Sequence, residues 1–390
     1  MPLVIYLLGL AVFAQGTSEL MLSGLLPDIA ADLRVSVPVA GSLTSVFAVG
    51  MIVGAPLLAI VSLRWSPRRA LLTFLIAFVL VHVIGALTPS FGILLATRVL
   101  AALANAGFLA VALAAATRLV DPGAKGRATS ALLGGVTLAC VAGVPAGALL
   151  GQLWGWRSAF WAVALVSVPA VFAILRSVPA GAGEDVTPSA RRELRALRRP
   201  RLLVTLLLGA LVNGATFCAF TYLAPLATDV SGFTPGWVPL LLAVFGIGSF
   251  AGVTLSGRLA DTRPRPLLMA GGLALLAGWA LFAFVAASPT ATLVLLFVQA
   301  TLSFAVGSTL ISQVLYAAPE APTLGGGFAT AAFNVGAALG PWLGGIVIAS
   351  GLGYRSPIWV SAALVAAALL CGALAAGLRR SHKAVSGSAA

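Results

Sequence analysis

The sequence predicts an all-α membrane protein whose twelve transmembrane helices form two pseudo-symmetric six-helix bundles. Three observations carry that prediction. Hydrophobic residues make up 60% of the 390 and charged residues only 8%, whereas a water-soluble domain has roughly 25% charge. Apolar runs recur from end to end, each of about 20 residues and so long enough to cross a ~30 Å hydrocarbon core as a helix. Finally, stretches of the first half return in the second at one fixed offset.

The runs centre near residues 15, 50, 79, 105, 140, 167, 214, 248, 277, 304, 339 and 367. The first has no Lys or Arg ahead of it and eleven similar runs behind it, so it reads as a retained helix and not a signal peptide. The net charge of +13 is concentrated between runs. Arg64, Arg68 and Arg69 follow the second run, and Arg118, Lys125 and Arg127 the fourth. Seven arginines from Arg176 to Arg201 lie between the sixth and seventh, while Arg258, Arg263 and Arg265 follow the eighth. Arg379, Arg380 and Lys383 follow the twelfth. All these loops share one side; the other has little beyond Arg34, Arg157 and Arg355. The positive-inside rule therefore puts both termini in the cytoplasm of a multi-pass cell-membrane protein. On this reading the basic charge sets topology and implies no nucleic-acid partner. Cys140, Cys218 and Cys371 all fall inside apolar runs, with no disulfide or metal-ligand spacing, so no metal or cofactor is expected.

GWRSAFW at 155–161 returns as GYRSPIW at 353–359, an offset of 198 residues. The same offset relates FAVGMIVG at 47–54 to FGIGSFAG at 245–252, Gln15-Gly16 to Asn213-Gly214, and Pro27 to Pro225. Several matches at one offset mean an internal repeat. The expected organisation is a bundle at 1–178, a cytoplasmic linker at 179–200, a second bundle at 201–380 and a tail at 381–390. The linker's basic part, from Ser189, reads either as a solvated connection or as a short helix on the membrane surface.

Two parallel six-helix halves joined by such a linker resemble the major facilitator superfamily, in which substrate binds near the midplane between halves. The family's loop signature is similar to GRLADTRPRP at 257–266, which implies a gating role for Arg258, Asp261 and Arg265. Its first-half counterpart, VSLRWSPRR at 61–69, lacks the Asp. The family's antiporter motif resembles GVPAGALLG at 143–151, with Gly143, Pro145 and Gly147, and GAALGPWLGG at 336–345, with Gly340, Pro341 and Gly344. Glycines at four-residue spacing let helices approach closely, so tight packing explains these stretches equally well.

The repeat acts as an internal control. Glu19 pairs with Phe217 at the 198 offset, and Arg98 approximately with Gln299. Fold alone therefore requires neither a buried acid nor a buried base. Of ten acids only Glu19 lies well inside an apolar run, where a carboxylate costs about 2.5–3.5 kcal/mol at mid-bilayer. Poor hydration favours the neutral form of a carboxyl group, so such a residue can accept a proton on one side and release it on the other. Glu19 is accordingly the candidate proton carrier, with permanent pairing to Arg98 as the alternative. Arg98 either couples to Glu19 or snorkels to the surface. His82 reads as a hydrogen-bonded packing residue.

Gln15, Glu19 and Ser23 share one helical face at i, i+4 and i+8. Asn213, Phe217 and Thr221 repeat the pattern more softly, with Tyr222 beside them, and Asn105 adds an amide from the fourth run. These are the candidate substrate residues, and one carboxylate among amides, hydroxyls and rings suits an amphiphilic small molecule. A single acid suits a neutral compound, since one proton supplies ~2.3 kcal/mol per 100 mV.

Four segments, GTSELMLSGLLPDIAADL, ALANAGFLAVALA, GALVNGATFCAFTYLAP and QATLSFAVGSTLISQVLY, together look like the bacterial chloramphenicol exporters. Those are drug:proton antiporters of the same superfamily. The resemblance implies proton-coupled drug efflux by alternating access, from a single chain in the lipid bilayer. A sugar or metabolite exporter is the nearest rival. A channel or a membrane enzyme is a different class, and no catalytic set or phosphate loop is visible.

Overall fold

The computed structural model describes residues 2–62, 65–121, 125–178, 197, 199–259, 264–317 and 325–387. The linker other than residues 197, 199 and 200 lies outside the described residues, as does Asp261. Among the described residues every regular element is helical, and 12 segments are long and apolar enough to cross a membrane.

In chain order the helices are α1 (Leu3–Leu20), α2 (Leu22–Asp32), α3 (Val37–Ser62), α4 (Pro67–Leu87) and α5 (Phe91–Arg118). Next come α6 (Lys125–Leu138), a π segment (Ala139–Gly143), α7 (Val144–Trp154) and α8 (Arg157–Ser177). The second half holds α9 (Pro200–Thr221), α10 (Leu223–Asp229), α11 (Val238–Leu259), α12 (Pro264–Val285) and α13 (Pro289–Ala317). It ends with α14 (Gly325–Val347), a π segment (Ile348–Leu352) and α15 (Ser356–Gly387). The last helix thus continues past residue 380, through most of the stretch expected as a tail.

Three spans are interrupted where proline removes a ladder hydrogen bond. Pro27 cannot donate to the Ser23 carbonyl, nor Pro225 to that of Thr221. The first span accordingly breaks at Met21, between α1 and α2, and the seventh at Tyr222, between α9 and α10. In the fifth span Pro145 leaves the Val141 carbonyl without its donor, and the widened π turn sits there.

The repeat is visible in the backbone. Gly155 (φ 79°) and Gly353 (φ 72°) occupy the 198-offset positions and turn the chain into α8 and α15. This left-handed conformation is open to Gly at little cost. Ser158 and Ser356 each donate a side-chain hydrogen bond of 2.7 Å to the carbonyl of their own corner glycine.

Glycines also set the tightest seams inside each half. Gly336, Gly340 and Gly344 of α14 face Ala210, Gly214 and Cys218 of α9, with no room for a Cβ. Gly143, Gly147 and Gly151 likewise meet Thr17, Met21 and Leu25 of the first span. Small residues let these backbones approach, as helix packing in lipid requires. Outward faces carry exposed apolar side chains such as Leu165, Phe172, Phe284 and Leu370, for which lipid is the solvent.

Between the halves, α3 packs on α14 and the fifth span on α11. Ala48 meets Ala337 and Ala338 there, with Phe217 against them. At the end poor in basic residues α2 meets α10, and Gln152 donates to the Pro235 carbonyl across the seam (2.5 Å). At that end Arg157 donates to Asp32 (2.5 Å) and to the Thr88 carbonyl (3.1 Å), tying α8 to α2 and α4.

Candidate functional site

Glu19 lies in the last turn of α1, two residues before the break at Met21, and is partly buried. Among the described residues no hydrogen bond or ion pair reaches its carboxylate; the ion pair found there joins Arg157 and Asp32. The charge acting on Glu19 is that of Arg98 from α5. Cys140, in the π segment of the fifth span, shares its surroundings, and the Cys140 carbonyl abuts Gly246 of α11 in the other half. Arg98 and Cys140 thus lie within electrostatic range of Glu19, and Cys140 sits where the halves face each other.

Arg98 is 1% exposed and does not snorkel. Its Nη1 donates to Ser18 Oγ and its Nη2 to the Ser18 carbonyl, both at 2.8 Å. Its guanidinium also stands 4.5 Å from the centre of the Phe47 ring, a cation–π contact from α3. The Ser18 bonds hold the charge at the main chain of α1, beside Glu19 and not on it, and Phe47 covers it from α3.

His82 continues the network. Its Nε2 lies 2.6 Å from Ser18 Oγ and its Nδ1 2.7 Å from the Phe78 carbonyl. A carbonyl only accepts, so Nδ1 carries the proton. Neutral imidazole then accepts from the Ser18 hydroxyl at Nε2, which leaves the Ser18 oxygen free to accept from Arg98. The Ser18 hydroxyl thus donates once, to His82, and accepts once, from Arg98, while the buried Arg98 Nε–H has no partner. Phe78 and Phe160 close the ring's faces at centroid distances of 4.1 and 5.8 Å. His82 is therefore the hydrogen-bonded packing residue that the sequence predicts. Ser18 and Phe47 gave no signal in the sequence: a serine beside an acid and a phenylalanine in an apolar run are both commonplace. The missed clue was depth, because Ser18, His82 and Arg98 fall at one level of three adjacent spans.

The candidate substrate residues are not all presented alike. Gln15 is fully buried one turn before Glu19, and both atoms of its amide lack a partner. The Ser23 hydroxyl lies beyond the break and donates to the Leu20 carbonyl at 2.8 Å, so it secures the kink. Asn105 turns its amide toward Met51 Sδ (3.6 Å). On α9, Asn213 donates to the Phe333 carbonyl (2.6 Å), Thr221 is buried with an unpartnered hydroxyl, and Phe217 lies partly exposed at the seam. Tyr222 is 1% exposed; its hydroxyl donates to the Pro341 carbonyl (2.8 Å) at the end poor in basic residues.

Of the motif residues, Arg258 closes α11 and Arg265 opens α12, both exposed at the basic end. The glycine motifs form the intra-half seams described above. Gln299, the approximate counterpart of Arg98, donates to the Leu275 carbonyl (3.0 Å), so the second half has a neutral packing bond where the first has a buried cation.

The family model described as "Major Facilitator Superfamily" matches residues 8–323. The chain is 55% identical to the "chloramphenicol resistance protein" of Streptomyces lividans over 95% of each sequence. It is 36% identical to the inner membrane transport protein YdhP of Escherichia coli K12 over 92% of each. A chloramphenicol efflux pump of Mycobacterium tuberculosis is 31% identical, over 87% of this chain and 84% of its own. Among solved structures, a bacterial homologue of the human lysosomal transporter Spinster, inward-facing and occupied, superposes with a TM-score of 0.74 at 20% identity, over 96% of both chains. The shared helical architecture and the extent of these matches lead to one assignment: the chain belongs to the Major Facilitator Superfamily and is a membrane transporter.

Proposed function

We propose that this transporter exports a neutral amphiphilic drug, chloramphenicol first among candidates, in exchange for protons. The substrate reading rests on the 55% identity, over nearly the whole chain, with a protein named for chloramphenicol resistance. The coupling reading rests on Glu19: a mid-span carboxyl with no bonded partner among the described residues, near where the two halves meet.

In this mechanism 1–178 and 201–380 move as two bodies around the seam, and Glu19 gains and loses a proton as the space between them opens alternately to either side. The basic loops and both termini face the cytoplasm. The drug's ring lies near Phe217, with polar groups toward Gln15, Asn105 and Asn213. Arg258, Asp261 and Arg265 favour one gate state. A proton crossing the membrane potential supplies ~2.3 kcal/mol per 100 mV, and 1.4 kcal/mol is about tenfold. One carboxyl therefore drives a substrate gradient of roughly fiftyfold.

The test is chloramphenicol transport in vesicles under an imposed pH gradient, native against Glu19→Gln. Uphill transport that collapses with the gradient, and is absent in Glu19→Gln, supports the reading. Full-rate uphill export by Glu19→Gln refutes it.

A further inference from the structure

We infer that Ser18 and His82 are positioning residues of the coupling site, holding the Arg98 guanidinium on the main chain of α1 and off the Glu19 carboxylate. The inference rests on the reading of Glu19 as proton carrier and adds what sets the working range of that carrier.

The geometry begins with the break in the first span. A helix that stops at Leu20 leaves its last carbonyls without intrahelical donors. Met21 N–H takes the Thr17 carbonyl (2.8 Å) and the Ser23 hydroxyl takes that of Leu20. The Ser18 carbonyl is taken by Arg98 Nη2. The guanidinium is thus a side-chain cap on the negative end of α1, where the helix dipole favours a cation.

The second guanidinium nitrogen decides which way the charge leans. Nη1 is bound to Ser18 Oγ, and that oxygen accepts because His82 Nε2 takes its proton. Phe47 covers the guanidinium at 4.5 Å. With Nη1 and Nη2 each bonded to Ser18, and the buried Nε–H without a partner, Arg98 affects Glu19 by proximity, and no direct bond joins the two among the described residues. Glu19 is left able to take up a proton instead of locking into a buried ion pair, which is costly to break in a low-dielectric interior. The titratable or charged groups facing this point are Glu19 on α1, Arg98 on α5, His82 on α4 and Cys140 on the π segment. A second proton on His82 would aim Nε2–H at the oxygen that already accepts from Arg98 and set two cations on it, so His82 serves as a fixed acceptor.

Ser18→Ala removes the Oγ acceptor and frees Nη1 to turn to Glu19. A cation bonded to a carboxylate favours its charged form, so more acid is needed to load the carrier. The pH midpoint of chloramphenicol efflux is expected to move about one unit toward acid, a tenfold change in proton affinity. His82→Phe removes the acceptor that orients the hydroxyl and shifts the profile in the same direction. His82→Gln keeps an acceptor at the Nε2 position and restores most of the parent profile.

The experiment records pH profiles of efflux for the parent, Ser18→Ala, His82→Phe, His82→Gln and Glu19→Gln in one vesicle system, with thermal unfolding in detergent as a check on folding. An acid shift in Ser18→Ala and His82→Phe, with recovery in His82→Gln, supports the inference. Profiles in Ser18→Ala and His82→Phe that superimpose on the parent, whatever their maximal rates, overturn it while Glu19→Gln still abolishes pH dependence. If Glu19→Gln keeps the parent's pH-dependent uphill efflux, the proton-carrier reading falls and this inference with it.

Discussion

Tyr222 of the second half stands over Gly41 of the first so closely that a Cβ on Gly41 would fall within van der Waals contact of the phenol oxygen and ring. The same ring lies on Gly344 and Gly345 of α14, and its hydroxyl is bound to the Pro341 carbonyl. Tyr222 thus fills a glycine-lined notch between the halves and closes the end poor in basic residues. Gly41→Leu should hold that end apart. Spin labels on exposed Leu153 and Trp237 should report longer distances in Gly41→Leu than in the parent. An unchanged distribution would mean the notch does not control closure.

The Asp32 clip gives a pH-dependent contribution to stability. Hydrogen bonds from Arg157 first and Trp156 second hold its carboxyl below the usual carboxylate range. A lowered folded value stabilises the protein above the unfolded value of about 4, and that gain is lost as pH falls through the folded value. The pair is largely solvent-exposed, so the effect is at most about 1 kcal/mol. Asp32→Asn should lower the melting temperature slightly at pH 7, and the difference from the parent should shrink as pH falls below the usual carboxylate range.

Glycine substitutions should separate sharply by location. A Cβ on Gly340 would collide with the Gly214 carbonyl and lie 3.0 Å from Cys218 N, both backbone atoms that cannot rotate away. Gly340→Ala should cost about 1–3 kcal/mol and reduce the folded yield. A Cβ on Gly257, in α11, meets nothing within 4 Å. Gly257→Ala should be neutral or stabilise by up to about 1 kcal/mol. Thermal unfolding in one detergent would compare the two.

Phe217 and Asn213 test the proposed drug site from the second half. Phe217→Ala should alter the ranking of several phenicols in a susceptibility panel with little change in melting temperature. Asn213→Ala should alter the ranking and also cost about 1 kcal/mol, because it removes the 2.6 Å hydrogen bond that ties α9 to the Phe333 carbonyl of α14. Identical rankings in both variants would remove these residues from the site.

The architecture was legible because lipid imposes a simple code: run length gives the spans, and an offset of 198 pairs Gly155 with Gly353 and Pro27 with Pro225. The break at Met21 was foreshadowed by Pro27, yet periodicity alone extends a polar stripe straight through it to Ser23. Tyr222 shows the same limit: adjacency to Thr221 suggested a shared face, but the break turns it into the seam. Sequence left Arg98 open between coupling and snorkelling, since that depends on whether a partner waits at its depth. The partner is Ser18, whose role comes from three spans meeting, and no one-dimensional pattern records that.

The corner glycines have a consequence for history. Gly155 and Gly353 make the same left-handed bend, closed by the same serine hydrogen bond. A feature present in both copies was inherited from a six-span ancestor, which could have enclosed a cavity only by pairing with a second molecule like itself. The acid, the buried guanidinium and the Asp32 clip belong to one copy alone. The shape of this carrier is therefore older than the charged cluster around Glu19, which took form once fusion let the two sides diverge.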